Sequence, residues 1–209
     1  MKAGNSRYAL ALLLCVLSSC IGVSADIAIR RDGSGTIALE YRIAKDLDSL
    51  GALDGNAPWP PLPVGQGDFE RTVARIQGLR MVSYQSQQDG RDVIYRATLE
   101  FADPQALIHF LDGSFQEVSL IHAGDQYRLS LSLGGGRGID PDLAAYFTAA
   151  AEGYRWALDI TLPSEGEFVS QNPASLDWIR EGTRGRLSAP VADLLTALDP
   201  VKLEVGWIP

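Results

Sequence analysis

Cysteine, histidine and methionine are scarce in this chain of 209 residues, which contains two of each. Cys15 and Cys20 both lie near the N-terminus, so the chain after position 20 has neither a thiol nor a disulfide. This excludes a cysteine nucleophile and a thiolate metal site from the body of the protein. His109 and His122 lack the spacing of a histidine metal motif, and no Ser-His-Asp pattern accompanies them. We therefore expect no catalytic residues, no metal ion and no cofactor, and predict that the protein is not an enzyme.

Positive charge is also in the minority, with 18 basic against 26 acidic residues and a net charge of −8. Without the residues before Cys20, which include Lys2 and Arg7, the net charge is −10. An acidic body argues against a nucleic-acid partner and against docking on anionic lipid through a basic surface. It leaves open the binding of a lipid in an apolar cleft. No stretch after residue 20 is long and apolar enough to span a bilayer.

The N-terminal segment has the pattern of a bacterial signal peptide. Lys2 and Arg7 form a positive region, and residues 8–17 are a short apolar run. The following Leu17-Ser18-Ser19-Cys20 resembles the lipobox of bacterial lipoprotein precursors, in which the cysteine becomes the lipid-modified first residue. We predict a signal peptide over residues 1–19, acyl chains such as palmitate on Cys20 and a tether over residues 20–25.

A second cleavage site competes with the lipobox. Val23-Ser24-Ala25 has the small-residue spacing of an ordinary secretory signal and would leave Asp26 as the first residue. The sequence does not decide between the two sites. Either one predicts an extracytoplasmic protein, and the lipobox predicts a lipid anchor in the bacterial cell membrane or outer membrane.

The body is dominated by segments in which apolar and polar residues alternate. Alternation over residues 37–44, 93–101 and 127–133 indicates half-buried strands, and turn residues such as Asp32-Gly33 and Asp89-Gly90 indicate hairpins. Helical patterns lie between the hairpins. We predict one α+β domain over residues 26–209: an antiparallel sheet built from hairpins, with three or four short helices packed on one face.

Two helix starts resemble each other. Asp103-Pro104 and Asp140-Pro141 each place an N-cap residue before a proline at the first helical position, at an offset of 37 residues. The offset suggests a repeated helix-hairpin unit. Independent use of the same capping pair gives the same pattern.

Two loops are candidates for ligand contact. Trp59 lies in a proline-rich connection, where an exposed aromatic side chain suits a lid, a membrane contact or a partner site. Gly135 and Gly136 lie in a glycine run before the second predicted helix start, where backbone N–H groups can face an anion. The alternatives are a tryptophan that packs on the core and a flexible connection.

The chain resembles the LppM-type lipoproteins, a group of extracytoplasmic bacterial proteins. The resemblance lies in residues 25–29, which run into the Asp32-Gly33-Ser34-Gly35-Thr36 hairpin after the lipobox, in Trp178, and in residues 189–207. It implies an α/β domain tethered to the envelope, with lipid or glycolipid binding and no catalytic residues to carry over. This chain departs from the mycobacterial members, which show a C-terminal transmembrane helix.

Two functions follow from these patterns. The first is a non-catalytic envelope lipoprotein that binds a lipid or glycolipid, with the membrane as its partner through the N-terminal anchor. The second is a tethered structural or protein-interaction domain that docks on another envelope component. A pocket that accommodates an acyl chain favours the first, and a filled core with an exposed apolar patch favours the second.

Overall fold

We describe the fold from a computed structural model, which describes residues 21–45, 48, 64–112, 117–133, 149, 151–171, 176–197 and 199–209. Within these residues there are eleven strands and three helices. The strands are β1 Ile21–Ile29, β2 Gly35–Ala44, β3 Leu79–Asp89, β4 Asp92–Phe101, β5 Glu117–Ala123, β6 Gln126–Leu133, β7 Arg155–Thr161, β8 Glu167–Gln171, β9 Asp177–Glu181, β10 Arg184–Pro190 and β11 Val201–Trp207. The helices are α1 Gln66–Arg75, α2 Pro104–Asp112 and α3 Val191–Thr196.

The larger sheet has seven strands in the order β3-β4-β2-β1-β7-β10-β9. The N-terminal strand β1 lies at its centre, antiparallel to β2 and parallel to β7. The other neighbours in this sheet pair antiparallel, with the hairpins β3–β4 and β9–β10 at its two edges. The first strand of the chain therefore joins the two halves of the sheet.

Alternation in the strands gives the larger sheet one apolar face. In β2, Ile37, Leu39 and Ile43 point into the core, while Ala38 between them is exposed. The four-stranded sheet, in the order β5-β6-β11-β8, contributes side chains to the same core cluster. These include the fully or almost fully buried side chains of Leu129, Leu131, Leu203, Val205 and Trp207.

The predicted fold class was wrong in its second layer. We expected helices to cover one face of a single antiparallel sheet, but a second sheet shares the core with the first. Helices α1 and α2 add Phe69, Leu107 and Phe110 to that core. The described part of the protein is therefore mostly β. Hairpin patterns identify local strand pairs, whereas the division of those pairs between two sheets depends on contacts distant in sequence.

Strand β10 was also missed by the sequence analysis, because glycine and polar residues hide its alternation. Gly185, Leu187 and Ala189 are its buried positions, and two of these three residues are small. A Cβ on Gly185 would lie 2.6 Å from the ring of Phe168 and 2.8 Å from that of Trp178. Glycine is required at position 185 because these two aromatic rings pack directly on the strand at this point.

The helix start at Asp103-Pro104 is confirmed. Helix α2 begins at Pro104, and the Asp103 carboxylate accepts a hydrogen bond from the backbone N–H of Ala106 at 2.9 Å. The second start, Asp140-Pro141, and therefore the suggested repeat, lies outside the described residues.

Residues 21–25 are part of β1, although we predicted a tether there. Ile21 pairs with Ile43 of β2, is only 7% exposed and belongs to the main core cluster. Gly22 is buried, and a Cβ at this position would lie 3.3 Å from the Arg155 carbonyl oxygen and 3.6 Å from the Tyr154 ring. The same small apolar residues that suit a cleavage site also suit a buried strand.

The seven strands end on two opposite sides of the larger sheet. We call one side the Ile21 end; it includes Ile21, Ala44, Asp92 and Arg155. We call the other the Ile29 end; the residues paired or adjacent there are Ile29, Gly35, Leu79, Phe101, Thr161 and Arg184. None of the helices in the described ranges is long and apolar enough to cross a membrane.

Candidate functional site

The outer face of the larger sheet, opposite the core, carries a cluster of charged side chains that we call the Asp159 cluster. It consists of Asp26 on β1, Asp159 on β7, and Arg184 and Arg186 on β10. Strand pairing brings them together, because Asp159 lies beside Asp26 on one side and beside Arg186 on the other. Residues from three strands and both halves of the sequence therefore meet at one place.

Arg184 bridges the two carboxylates of this cluster. Its Nε donates to Asp159 Oδ1 at 3.0 Å, and its Nη2 lies 3.3 Å from Asp26 Oδ2. Arg186 Nε lies 3.5 Å from the second oxygen of Asp159. Asp159 is only 4% exposed, so its charge is almost removed from water and is compensated by two guanidinium groups.

Partial burial raises the pKa of the Asp26 carboxyl above its ordinary value, and the charge of Asp159 acts in the same direction. Arg184 and Arg186 oppose the shift without cancelling it. The two arginines therefore compensate the Asp26 carboxylate only in part.

A small open groove of about 130 Å³ lies over the Asp159 cluster. It is lined by Asp159, Arg184 and Arg186 together with Ile179 and Glu181 of the edge strand β9. Carboxylates accept hydrogen bonds and guanidinium groups donate them, while Ile179 is 52% exposed and offers an apolar contact. This combination suits a small polar group such as a sugar ring or a headgroup, and the groove is too small for an acyl chain.

A larger open groove of about 420 Å³ lies at the Ile29 end. Its rim carries Arg30, Ser34, and the ion pair between Arg80 and Glu100, and its floor includes Phe101. The β1–β2 turn fixes Arg30, whose backbone N–H donates to the Ser34 carbonyl at 2.8 Å. Two arginines beside an apolar floor suit an anionic or polar ligand of small-molecule size.

The Ile21 end holds a second buried carboxylate in a different setting. Asp92 is 4% exposed and accepts hydrogen bonds from the Tyr154 hydroxyl at 2.8 Å and from Arg42 Nη1 at 3.3 Å. Tyr154 also belongs to a small second core with Ala151 and the start of α3. The carboxylate is enclosed by these groups, so we interpret it as a structural link between the β3–β4 hairpin and the segment before β7.

The predicted site residues lie outside the described residues. This holds for the lipid attachment at Cys20 and for the ligand candidates Trp59, Gly135 and Gly136. In the part of the chain that the structure describes, no group of three His, Cys, Asp or Glu side chains is placed to hold a metal ion. The Asp159 cluster was missed, and finding it required the strand β10 that carries both arginines.

His122 on β5 is exposed and stacks on Tyr127. The two rings are 4.3 Å apart at an interplanar angle of 7°, and Tyr127 stacks in turn on Trp207 at 5.4 Å. The pairing of β5 with β6 and of β6 with β11 produces this order. The histidine therefore lies at the outer end of an aromatic ladder that begins in the core.

Comparison with known proteins gives a likeness of fold. No protein-family model and no curated protein matches the sequence. The fold is similar to the NMR structure of the folded domain of LppM from Mycobacterium tuberculosis, with a TM-score of 0.53 and 13% sequence identity. The match covers 91% of this chain and 91% of that one. At this identity the likeness is one of fold.

Proposed function

We propose that this protein is a lipid-anchored, non-catalytic domain of the bacterial cell envelope, with its lipid on Cys20. The observation that carries the proposal is the position of β1, which begins at Ile21, directly after the lipobox cysteine. Cleavage before Cys20 retains all nine residues of this central strand. The lipobox cysteine thus directly precedes the first residue of β1.

The competing cleavage after Ala25 would cut β1 in half. It would remove Ile21 from the main core and Gly22 from beneath the Tyr154 ring. Val23 lies between Tyr41 of β2 and Trp156 of β7, so both neighbouring strands would lose their pairing with this half of β1 at the centre of the sheet. Unpaired backbone groups in a sheet interior are costly, which supports cleavage at the lipobox.

The likeness to the LppM folded domain supports the same role. It extends over most of both chains and agrees with the LppM-type resemblance in the residues that follow the lipobox. Membership of that group, with its lipid anchor and its location outside the cytoplasm, is part of the proposal.

For the ligand, we propose recognition of the polar headgroup of a lipid or glycolipid. The grooves over the Asp159 cluster and at the Ile29 end are open and rimmed by arginines and carboxylates. The apolar strand faces of both sheets are occupied by the shared core. These features favour contact with a headgroup over enclosure of an acyl chain.

A protein partner is the second candidate, because β9 is an edge strand of the larger sheet. Its Ile179 is 52% exposed and offers an apolar side chain at this edge. An exposed edge with an apolar residue can accept a strand from another protein.

Intact mass spectrometry of the protein extracted from membranes of a bacterial host tests the anchor. We expect the mass of residues 20–209 plus acyl chains, and loss of that modification in Cys20→Ala. A mass that begins at Asp26 would contradict the proposal.

Native mass spectrometry of the same preparation with envelope phospholipids and glycolipids tests the ligand. We expect a bound lipid that is weakened by Arg80→Ala and retained in Arg128→Ala, whose arginine pairs with Glu204 on the other sheet. If no lipid binds, the headgroup proposal fails and the protein partner becomes the leading candidate.

A further inference from the structure

We infer that the Ile21 end of the larger sheet lies against the bilayer that holds the anchor, and that the Ile29 end faces away from it. This inference rests on the proposed lipid attachment at Cys20. It adds an orientation and a contact surface, because the anchor is joined to the fold without a spacer.

The distance between the lipid and the fold is one residue. Consecutive Cα atoms are about 3.8 Å apart, so the backbone of a lipidated Cys20 lies within that distance of Ile21. A flexible tether of five further residues would let the domain move about its anchor. Since residues 21–25 belong to β1, that freedom is missing.

The first residues of β1 are held on both faces of the sheet. The Ile21 side chain packs into the main core on one face, and Gly22 lies beneath Tyr154 on the other. Strand β2 pairs with β1 from Ile21 onward, and β7 pairs with it from Val23 onward. The direction of β1 is therefore fixed relative to the whole sheet, and the anchor holds the Ile21 end of that sheet close to the membrane.

The charges at the Ile21 end indicate that the anchor, not electrostatic attraction, sets the orientation. Exposed Arg91 and Arg155 are accompanied there by exposed Asp89 and Asp177. The chain from Cys20 onward carries a net charge of −10. A surface with both signs and an acidic body have little attraction for anionic lipid, so contact with the bilayer should depend only weakly on salt.

The orientation has a consequence for the ligand. Nine residues of β1 span roughly 26 Å at about 3.3 Å per residue, which separates the Ile29 end from the anchored membrane. The groove of about 420 Å³ with Arg30 and Arg80 lies at that distant end. A headgroup that binds there comes from outside the leaflet that holds the anchor, such as an extracted lipid or one in a facing membrane.

Fluorescence quenching in vesicles tests the orientation with two matched variants. Arg91→Cys and Arg31→Cys each replace an exposed arginine in a hairpin turn, one at the Ile21 end and one at the Ile29 end. The lipidated full-length mature protein offers no other thiol for a fluorescent label. In neutral phosphatidylcholine vesicles that contain a nitroxide lipid, we expect several-fold stronger quenching at position 91 than at position 31. Equal quenching, or stronger quenching at position 31, would overturn the inference.

A spacer variant tests whether the short connection causes the orientation. Insertion of about ten Gly/Ser residues between Cys20 and Ile21 should reduce quenching at position 91 towards that at position 31, because such a spacer allows movement over tens of ångströms. Unchanged quenching would overturn the role of the anchor. The mass of each sample separates the two proposals: a sample without lipid on Cys20 contradicts the anchor, and a lipidated sample without the quenching difference contradicts the orientation alone.

Discussion

The two ends of the larger sheet differ in how their polar groups are used. At the Ile21 end, Asp92 is enclosed by Tyr154 and Arg42, and a second small core covers the sheet. At the Ile29 end, Arg30, Arg80 and Glu100 line an open groove. The first arrangement satisfies its charges within the protein, and the second leaves hydrogen-bonding groups at the surface.

This difference indicates that the residues after the lipobox serve folding, and that recognition belongs to the opposite end. A segment that merely connected the anchor to the domain would tolerate deletion and substitution. A strand in the centre of the sheet would tolerate neither. The following four changes test that distinction, in order of decreasing expected effect.

Removal of residues 21–25 should have the largest effect. We expect a soluble chain of residues 21–209 to unfold cooperatively, and a chain of residues 26–209 to show no cooperative transition. The shorter chain loses the buried Ile21 and the pairing of residues 21–25 with β2 and β7, against a total stability of about 5–15 kcal/mol for an ordinary domain. Circular dichroism during heating measures this, and equal melting temperatures would show that the segment is a tether.

Gly22→Val should destabilise the protein by about 1–3 kcal/mol, the usual cost of overpacking. The new side chain would meet the Arg155 carbonyl oxygen and the Tyr154 ring. Ser24→Val is the matched control on the same face of β1, and it should change the free energy of unfolding by no more than about 0.5 kcal/mol. Denaturant titration measures both, and two equally small effects would contradict close packing at the Ile21 end.

Tyr154→Phe should cost about 1–3 kcal/mol, because it leaves the buried Asp92 carboxylate with one donor fewer. Tyr84→Phe is the comparison, since its hydroxyl donates to the neutral Val64 carbonyl at 3.1 Å and is only partly buried. It should cost about 0.5–1.5 kcal/mol. Chemical unfolding of both variants compares the two losses in the free energy of unfolding. A larger loss for Tyr84→Phe would contradict the structural role of the hydrogen bond between Tyr154 and Asp92.

The smallest expected effect is a change in pH dependence at Asp26. Because the folded protein raises the pKa of Asp26, it binds a proton more tightly than the unfolded chain does. Its contribution to stability therefore decreases as the pH rises from 3.8 through the raised folded value. We expect Asp26→Asn to gain stability relative to the natural chain across that window.

Asp32 provides a control of opposite sign. Hydrogen bonds from Ser34 lower the pKa of the Asp32 carboxyl, so its stabilising contribution is present above pH 3.8 and is lost as the pH falls. Thermal unfolding of Asp26→Asn and Asp32→Asn between pH 3 and 6 measures both contributions. If the difference in melting temperature between Asp26→Asn and the natural chain did not change with pH, the Asp159 cluster would not perturb Asp26.

The local elements of the fold could be predicted from the sequence. Gly33, Gly90 and Gly124 each adopt a positive φ angle in a turn. Glycine is favoured in this conformation, so its presence in the sequence predicts the turns. The alternation beside each turn then identified the paired strands. These signals lie within about ten residues of one another, so they need no knowledge of the rest of the fold.

The second sheet and the candidate site could not be predicted in the same way. In the four-stranded sheet, the pairing of Val205 with Leu129 joins residues far apart in the chain, and no local sequence pattern indicates it. The Asp159 cluster depends on β10, in which Gly185 takes the place of an apolar side chain and hides the alternation of the strand. Residues 21–25 fitted both a tether and a strand, and their small side chains gave no preference.

The central claim is that the fold begins at the first residue after the lipid anchor. Amide hydrogen exchange of the lipidated mature protein, followed by mass spectrometry of peptides from β1, tests it most directly. We predict that the amides of residues 22–25 are protected as strongly as those of residues 27–29, because β1 is paired on both sides over most of its length. Rapid exchange in residues 22–25, with protection beginning only after Asp26, would show a tether and contradict the account.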